Sequence, residues 1–353
     1  MKEKKSIKVS LGDVAKAAGI STTSAANALR NLPGLSPATR QRVLRVAKRL
    51  GYFPDPRLAS RMTGIRLTAD KDLLPIVWLN TNREKDAWSK YCFLSPYQEG
   101  ARERLQELGY RIEEMWTREP GFSMHRLAQI IDHQGITGVI ITEPARHIQL
   151  KWNRLAGVSI GGGLLAPVLH RITTDTNLNL RLALKIVKRF GYQRIGVCLT
   201  EEADRFSRHD ARSAAMYFNS TLPKARQVHP LFMPNSKDSV TYGNIVAAWL
   251  KRERPDAIVG LSSKLVNWVE AAGFRVPDDI GVVHLAIEDD VLDWAGIYAN
   301  KRVVGRFAAN LLADLIRHEE FGVPSVALTT LVPGVWRSGR TLLTPKPKPS
   351  QGM

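Results

Sequence analysis

Residues 9–31 read VSLGDVAKAAGISTTSAANALRN, and their spacing confines this stretch to two short helices set at an angle. Ser10 precedes an apolar-periodic run and has Asp13 three residues on, the pattern of an N-cap with its box partner. Leu11, Val14, Ala15 and Ala18 recur at helical spacing and make one face to bury. Gly19 supplies the left-handed residue that ends the first helix, and Ser21 opens the second after only Gly19 and Ile20. So short a connection turns the second helix across the first, as in a helix-turn-helix. On the second helix Ala25, Ala28 and Leu29 face inward, which leaves Thr22, Thr23, Ala26, Asn27 and Arg30 outside. In such a unit the N-terminal residues of the second helix reach base edges in the major groove.

A third helix is predicted next. Ser36 is its N-cap, and Pro37 fits the first helical position, where no backbone donor is needed. Val43, Val46, Ala47 and Leu50 form its buried stripe, Gly51 stops it, and Tyr52 and Pro54 close the bundle. A core of this size is marginal alone, which fits a small module working through a larger partner domain.

Charge agrees with that reading. Residues 1–66 hold 14 Lys/Arg against 3 Asp/Glu, so they carry +11 of the chain's formal +18. A localised basic excess is the footprint of a polyanion binder. The basic helices lack a broad face of Trp, Phe and Leu, which argues against membrane-surface binding. No run of about 18 apolar residues exists, so no transmembrane helix is expected. The charged start MKEKKSIKVS has no hydrophobic core of a signal peptide, and the chain is expected to be cytoplasmic. Cys92 and Cys198 are distant from one another and expected to be reduced, and the 8 His show no metal spacing. The GGG at 161–163 lacks the GK[ST] of a phosphate loop, and no GxSxG nucleophile motif occurs. No cofactor and no catalysis are expected.

From Leu74 short apolar runs alternate with helical stretches. Strands are predicted at 75–80, 110–116, 138–142, 157–161, 194–200, 229–233, 257–261 and 281–286. Helices are predicted at 96–108, 123–134, 176–190, 209–221, 239–252 and 264–272. This order argues for parallel sheets with crossover helices, and about 270 residues exceed one such unit. The fold class is therefore α/β, with an N-terminal three-helix headpiece and two α/β subdomains around a cleft. Ligands of open α/β sheets bind beyond the carboxyl ends of the strands. Here those ends lead into 81–93, 143–147, 161–165, 201–212 and 287–300. Their aromatic residues Trp88, Tyr91, Phe93 and Trp294 suit the flat faces of sugars.

With these residues in view, the segment VSLGDVAKAAGIS followed by LSPATRQRVLRVAKRLGYFPDP resembles the DNA-binding headpiece of LacI/GalR-family transcription regulators. VPDDIGVV (276–283), VVGRFAANLLADLI (303–316) and LVPGVWRSGRT (331–341) resemble that family's periplasmic-binding-protein-like regulatory domain, so the resemblance spans nearly the whole chain. It implies a headpiece at 7–54, a hinge helix and linker at 55–73, an effector-binding and dimerisation domain at 74–343, and a disordered tail at 344–353. It implies a homodimer on double-stranded operator DNA, acting as a repressor under a small-molecule effector, possibly a sugar. By position, Ser21, Ser36 and Thr39 match phosphate contacts, while Thr22, Thr23, Asn27 and Arg30 match the base-reading face. The family usually has Arg where Asn27 stands and often Asn where Arg30 stands. That exchange alters the expected base preference, since Arg suits guanine and Asn suits adenine. In PDPRLASRM (54–62) the minor-groove wedge falls on Met62 or, in a shifted register, on Leu58. Phe93, Arg212 and Trp294 are the candidate effector contacts. The family's Arg-x-x-Gly-aromatic pattern is here Arg212 followed by SAAMYF, its Asn-Asp is Ser262–Ser263, and its Asp pair is Ala286–Ile287. A regulator whose cleft has lost its ligand response is the alternative, with a sugar-binding protein or enzyme behind it.

Overall fold

A computed structural model describes residues 11–29, 35–50, 73–235, 239–287 and 289–343. Ser10, Arg30, the 55–72 stretch with Leu58 and Met62, and the 344–353 tail lie outside the described residues. Backbone contacts divide the chain into two compact units, with the boundary between Arg66 and Leu67.

The first unit holds α1 (Leu11–Ala18), α2 (Thr22–Leu29) and α3 (Pro37–Leu50). Its core is the set the periodicity singled out: Val14, Ala15 and Ala18 against Ala25, Ala28, Val43, Val46 and Ala47. Gly19 takes φ +65°, and the Ile20 N–H reaches back to the Ala15 carbonyl at 3.1 Å. That six-to-one bond is a Schellman closure, which satisfies a carbonyl at the end of α1 and reverses the chain into α2.

The second unit contains two sheets, each six-stranded. The first runs β11-β5-β4-β3-β1-β2 and is parallel throughout. Its strands are β1 (Leu74–Asn80), β2 (Tyr110–Trp116), β3 (Gly138–Ile141), β4 (Ala156–Ile160), β5 (His170–Thr174) and β11 (Thr329–Val332). The second runs β12-β10-β9-β8-β6-β7. It comprises β6 (Ile195–Thr200), β7 (Leu231–Met233), β8 (Ala257–Gly260), β9 (Gly281–His284), β10 (Ala295–Tyr298) and β12 (Val335–Arg337). Here β12 lies antiparallel to β10, which corrects the expectation of wholly parallel sheets. The central strands are buried on both faces, which is why they read as apolar runs rather than alternating ones.

The helices of this unit are α4 (Ala87–Lys90), α5 (Ser95–Glu107), α6 (Met124–Gln134), α7 (Thr176–Arg189), α8 (Glu201–Phe206), α9 (Asp210–Ser220), α10 (Ser239–Glu253), α11 (Leu265–Ala271) and α12 (Lys301–Arg317); six fall where helices were predicted, while α4, α8 and α12 were not among those expected. Packing of α12 against α5 in the core of the first sheet brings the chain back after β10. It passes between the subdomains at 174–176, at 299–301 and at 333–334. Two asparagines stitch these crossings. The Gly334 N–H donates to Asn179 Oδ1 at 2.7 Å, and Asn300 Nδ2 donates to the Pro333 carbonyl at 2.8 Å. The crossings thus form one hydrogen-bonded hinge rather than separate tethers.

Candidate DNA interface and ligand cleft

In the headpiece, Ser21, Thr22 and Thr23 are exposed at the start of α2, and Asn27 is half-buried one turn further along. Ser21 Oγ accepts the Ser24 N–H at 3.1 Å, so it caps α2. Ser36 Oγ likewise accepts the Thr39 N–H at 3.2 Å, with the two hydroxyls 2.8 Å apart. Helix N-termini with exposed hydroxyls offer donors to an anion. Arg42, Arg45, Lys48 and Arg49 add exposed cations along α3.

In the second unit, a cavity of about 620 Å³ lies between the two sheets. All five strand-end segments expected at the cleft contribute to it, through Asn82, Glu143, Gly161, Ala203 and Ala299 among others. Its polar lining includes Arg83, Thr173, Thr174, Asn179, Glu202 and Asn235, and its aromatic lining is Phe93, Tyr97 and Phe206. Amides, hydroxyls and charged groups beside ring faces suit a ligand rich in hydroxyls.

Of the three expected effector contacts, only Phe93 lines this cavity. Trp294 is 5% exposed and packs edge-on to His284, 5.9 Å between ring centres, inside the core. It is thus a core residue. Arg212 lies outside the cavity lining as well. Its Nε donates to Asp204 Oδ2 and its Nη2 to Glu201 Oε2, each at 2.8 Å, while the guanidinium stacks 3.8 Å over the Phe232 ring. Two of its three nitrogens are thus engaged by carboxylates. Trp88 also belongs to the core, edge-on to Trp78 at 5.0 Å.

The two cleft walls meet at the glycine run. A Cβ on Gly162 would stand 2.0 Å from the Phe206 carbonyl oxygen, so only glycine permits this approach of one subdomain to the other. Arg208 fastens the contact: its Nη2 donates to the Leu164 carbonyl at 3.0 Å. Arg208 and His209 both adopt positive φ, 55° and 66°, conformations that side-chain-bearing residues hold only under support. Asp204 provides it. This fully buried carboxylate accepts His209 Nδ1 at 2.7 Å, the Arg212 N–H at 3.0 Å and Arg212 Nε.

Glu143 supports the other wall. Its Oε1 accepts the Gly162 and Gly163 N–H groups at 2.7 and 3.1 Å. Burial of the carboxyl outweighs those two bonds and the nearby Arg171 charge, and pushes its pKa up to about 7. Among the described residues no cluster of His, Cys, Asp and Glu is arranged to hold a metal ion, and no helix is long and apolar enough to cross a membrane.

A family model for bacterial regulatory proteins of the lacI family matches residues 10–55, and one for a periplasmic binding protein-like domain matches residues 185–335. The chain belongs to the LacI/GalR family of transcription regulators. An HTH-type transcriptional regulator from the aml 5′ region of Streptomyces limosus is 24% identical over 290 residues, covering 77% of each chain. Among solved structures, the transcriptional regulator CelR in complex with cellobiose has a TM-score of 0.58 at 17% identity, covering 94% of this chain and 99% of that one. The lac repressor dimer bound to operator and the anti-inducer ONPF has 0.58 at 17%, covering 95% and 99%. A LacI-family regulator from Enterococcus faecium with bound ribose has 0.54 at 16%, covering 77% and 100%. As a LacI/GalR-family member the protein is a sequence-specific DNA-binding regulator and not an enzyme. Two residues that fasten backbone at the cleft walls, Glu143 and Arg208, were not singled out in the sequence reading. The GGG run was a signal for both, because three successive glycines mark a close backbone approach.

Proposed function

We propose that the protein is a cytoplasmic homodimeric repressor whose headpieces read a near-palindromic operator, and whose cleft binds a carbohydrate-like effector. The observation that carries the effector reading is the 620 Å³ cavity, which draws hydrogen-bonding side chains and ring faces from both subdomains. Support comes from the similar regulators solved with cellobiose and with ribose. In the headpiece Thr22, Thr23, Asn27 and Arg30 contact base edges, and Ser21, Ser36 and Thr39 contact phosphates. Met62 or Leu58 enters the minor groove. The chain is divided as headpiece 7–54, hinge 55–73, effector and dimerisation domain 74–343 and tail 344–353. One headpiece offers few base contacts, and two-fold proteins match two-fold operators.

A ligand alters DNA binding only through its different affinity for open and closed clefts. The test is operator affinity measured by fluorescence anisotropy with and without each member of a mono- and disaccharide panel. One member should change affinity by about 5- to 150-fold. Gly162→Ala holds the cleft walls apart and should blunt that response. A panel in which nothing binds the cleft, by calorimetry as well as by anisotropy, favours the regulator without ligand response.

A further inference from the structure

Helices α7 and α9 lie side by side on one face of the second sheet. Ala183, Leu184 and Val187 of one share a core with Ala211, Ala214 and Ala215 of the other. Their outer faces are left to water. On α7 the exposed positions are Leu178, Arg181, Lys185, Lys188 and Arg189, spaced by three and four residues so that they form one stripe. Leu178 is 46% exposed, and Met216 and Tyr217 on α9 are each 61% exposed. Arg181 joins the two helices, its guanidinium lying over the Tyr217 ring at 5.7 Å from the ring centre.

The stripe is cationic throughout. No acid occurs between Thr176 and Arg189. Asp175 is engaged in capping α7, where it accepts the Leu178 N–H at 2.9 Å. Asp210, the one acid of α9, is half-buried at the start of that helix under the charges of Arg171 and Arg208. Like charges one turn apart repel along a helix. The helix dipole accounts for Lys188 and Arg189 in the last turn, but not for Arg181 and Lys185 in the middle. Exposed arginines elsewhere are answered: Arg302 and Arg306 of α12 pair with Glu99, Glu103 and Glu107 of α5. Among the described residues no carboxylate pairs with Arg181, Lys185, Lys188 or Arg189.

Apolar side chains beside unpaired cations call for a partner with an apolar face flanked by carboxylates. The chain does not bring one from its ends: residues 344–353 hold two lysines and no acid, and residues 1–66 carry +11. A second copy carries the same +18 excess. Nucleic acid matches the charge but sets a hydrophilic backbone against Leu178 and Met216. Arg, Tyr and Met are the residue types in which protein interfaces are enriched. We propose that the α7/α9 face is a docking surface for an acidic amphipathic helix of another protein. Its apolar stripe covers Leu178, Met216 and Tyr217, and its carboxylates meet Arg181, Lys185 and Lys188. From Leu178 to Arg189 the stripe runs about 16 Å, which matches about three turns of a docking helix. This surface works independently of what the cleft binds.

The test titrates the full chain into fluorescent probes and follows anisotropy. One probe is a peptide about four helical turns long, with Leu at i, i+3, i+4 and i+7 and Glu and Ala elsewhere. The second replaces each Leu by Ser and keeps the charge, so it controls for the basic excess of the chain. The third is an oligo-thymidylate of about 20 nucleotides. The Leu peptide should bind at least about tenfold tighter than the Ser peptide. Arg181→Glu combined with Lys185→Glu should weaken the Leu peptide at least about tenfold, and Tyr217→Ala should weaken it too while keeping the four cations. Unchanged thermal melting shows that each variant is folded. Should the double charge reversal fail to fold, Arg181→Gln with Lys185→Gln replaces it. Equal affinity for the two peptides, or Leu-peptide binding that survives both the charge variant and Tyr217→Ala, would overturn the proposal. So would oligo-thymidylate binding that falls in the charge variant while the Leu peptide is unmoved, since the face then serves nucleic acid.

Discussion

Asp204 in the second subdomain is fully buried and Glu143 in the first is half-buried at the cavity wall; both hold backbone at the cleft, yet their charges behave oppositely. Burial acts to raise both. At Asp204 the Arg212 guanidinium, the His209 ring and the Arg212 N–H overcome that cost and hold the carboxyl below its ordinary range. At Glu143 the donors are two neutral N–H groups on one oxygen, and the carboxyl rises to about 7. Hydrogen bonds from charged donors are roughly twice as strong as those from neutral ones, which accounts for the sign of the difference. Arg208 joins the two walls; of their two carboxyls, one is held below its ordinary range and the other titrates near 7.

Removing the Asp204 carboxylate should have the largest effect. Asp204→Ala leaves His209 and Arg212 without their shared acceptor. It should destabilise the large unit by about 3 kcal/mol, the low end for breaking a buried pair, because the Arg212 side chain keeps 34% exposure. Urea denaturation measures this, and a loss under about 1 kcal/mol would remove the contrast.

Glu143→Gln should act in the other direction. Its folded pKa lies above the ordinary carboxylate value of 4.5. The stability it contributes is therefore fully present below pH about 4.5 and is lost as pH rises through about 7. The cost by pH 8 is up to about 3 kcal/mol. The glutamine keeps an oxygen for Gly162 and Gly163 but has no proton to lose, so the variant should match the parent at pH 4.5 and exceed it at pH 8. An unchanged pH slope would show that Glu143 is better solvated than its surroundings imply.

The headpiece was legible from sequence because its determinants are local. Gly19, the helical spacing of Val14, Ala15 and Ala18, and the Ser36–Pro37 start each act within a few residues. The alternation of strands and helices was legible for the same reason. What escaped is what depends on distant chain segments. β11 and β12 are short and largely exposed, so they carry no apolar signature, and only the returning chain pairs them. Trp294 and Phe93 look alike as aromatic residues near strand ends, but the core claims one and the cleft the other. Arg212 was named as a ligand contact from the family's Arg-x-x-Gly-aromatic pattern; its ion pair with Asp204 spans a helix break, a relation no periodicity reveals. Glu143 serves glycines 19 and 20 residues further along the chain, which a linear reading cannot pair.

The central claim is that α2 reads DNA as one half of a symmetric pair. Selection of bound duplexes from a random pool by the full-length protein tests it most directly. The account predicts enrichment of a near-palindrome of two half-sites. Asn27→Ala should relax one base position in each half-site, at a cost of about 1–3 kcal/mol for the preferred base. Asn27→Arg should shift that position toward guanine. A single asymmetric half-site, or base preferences unchanged in both variants, would contradict it.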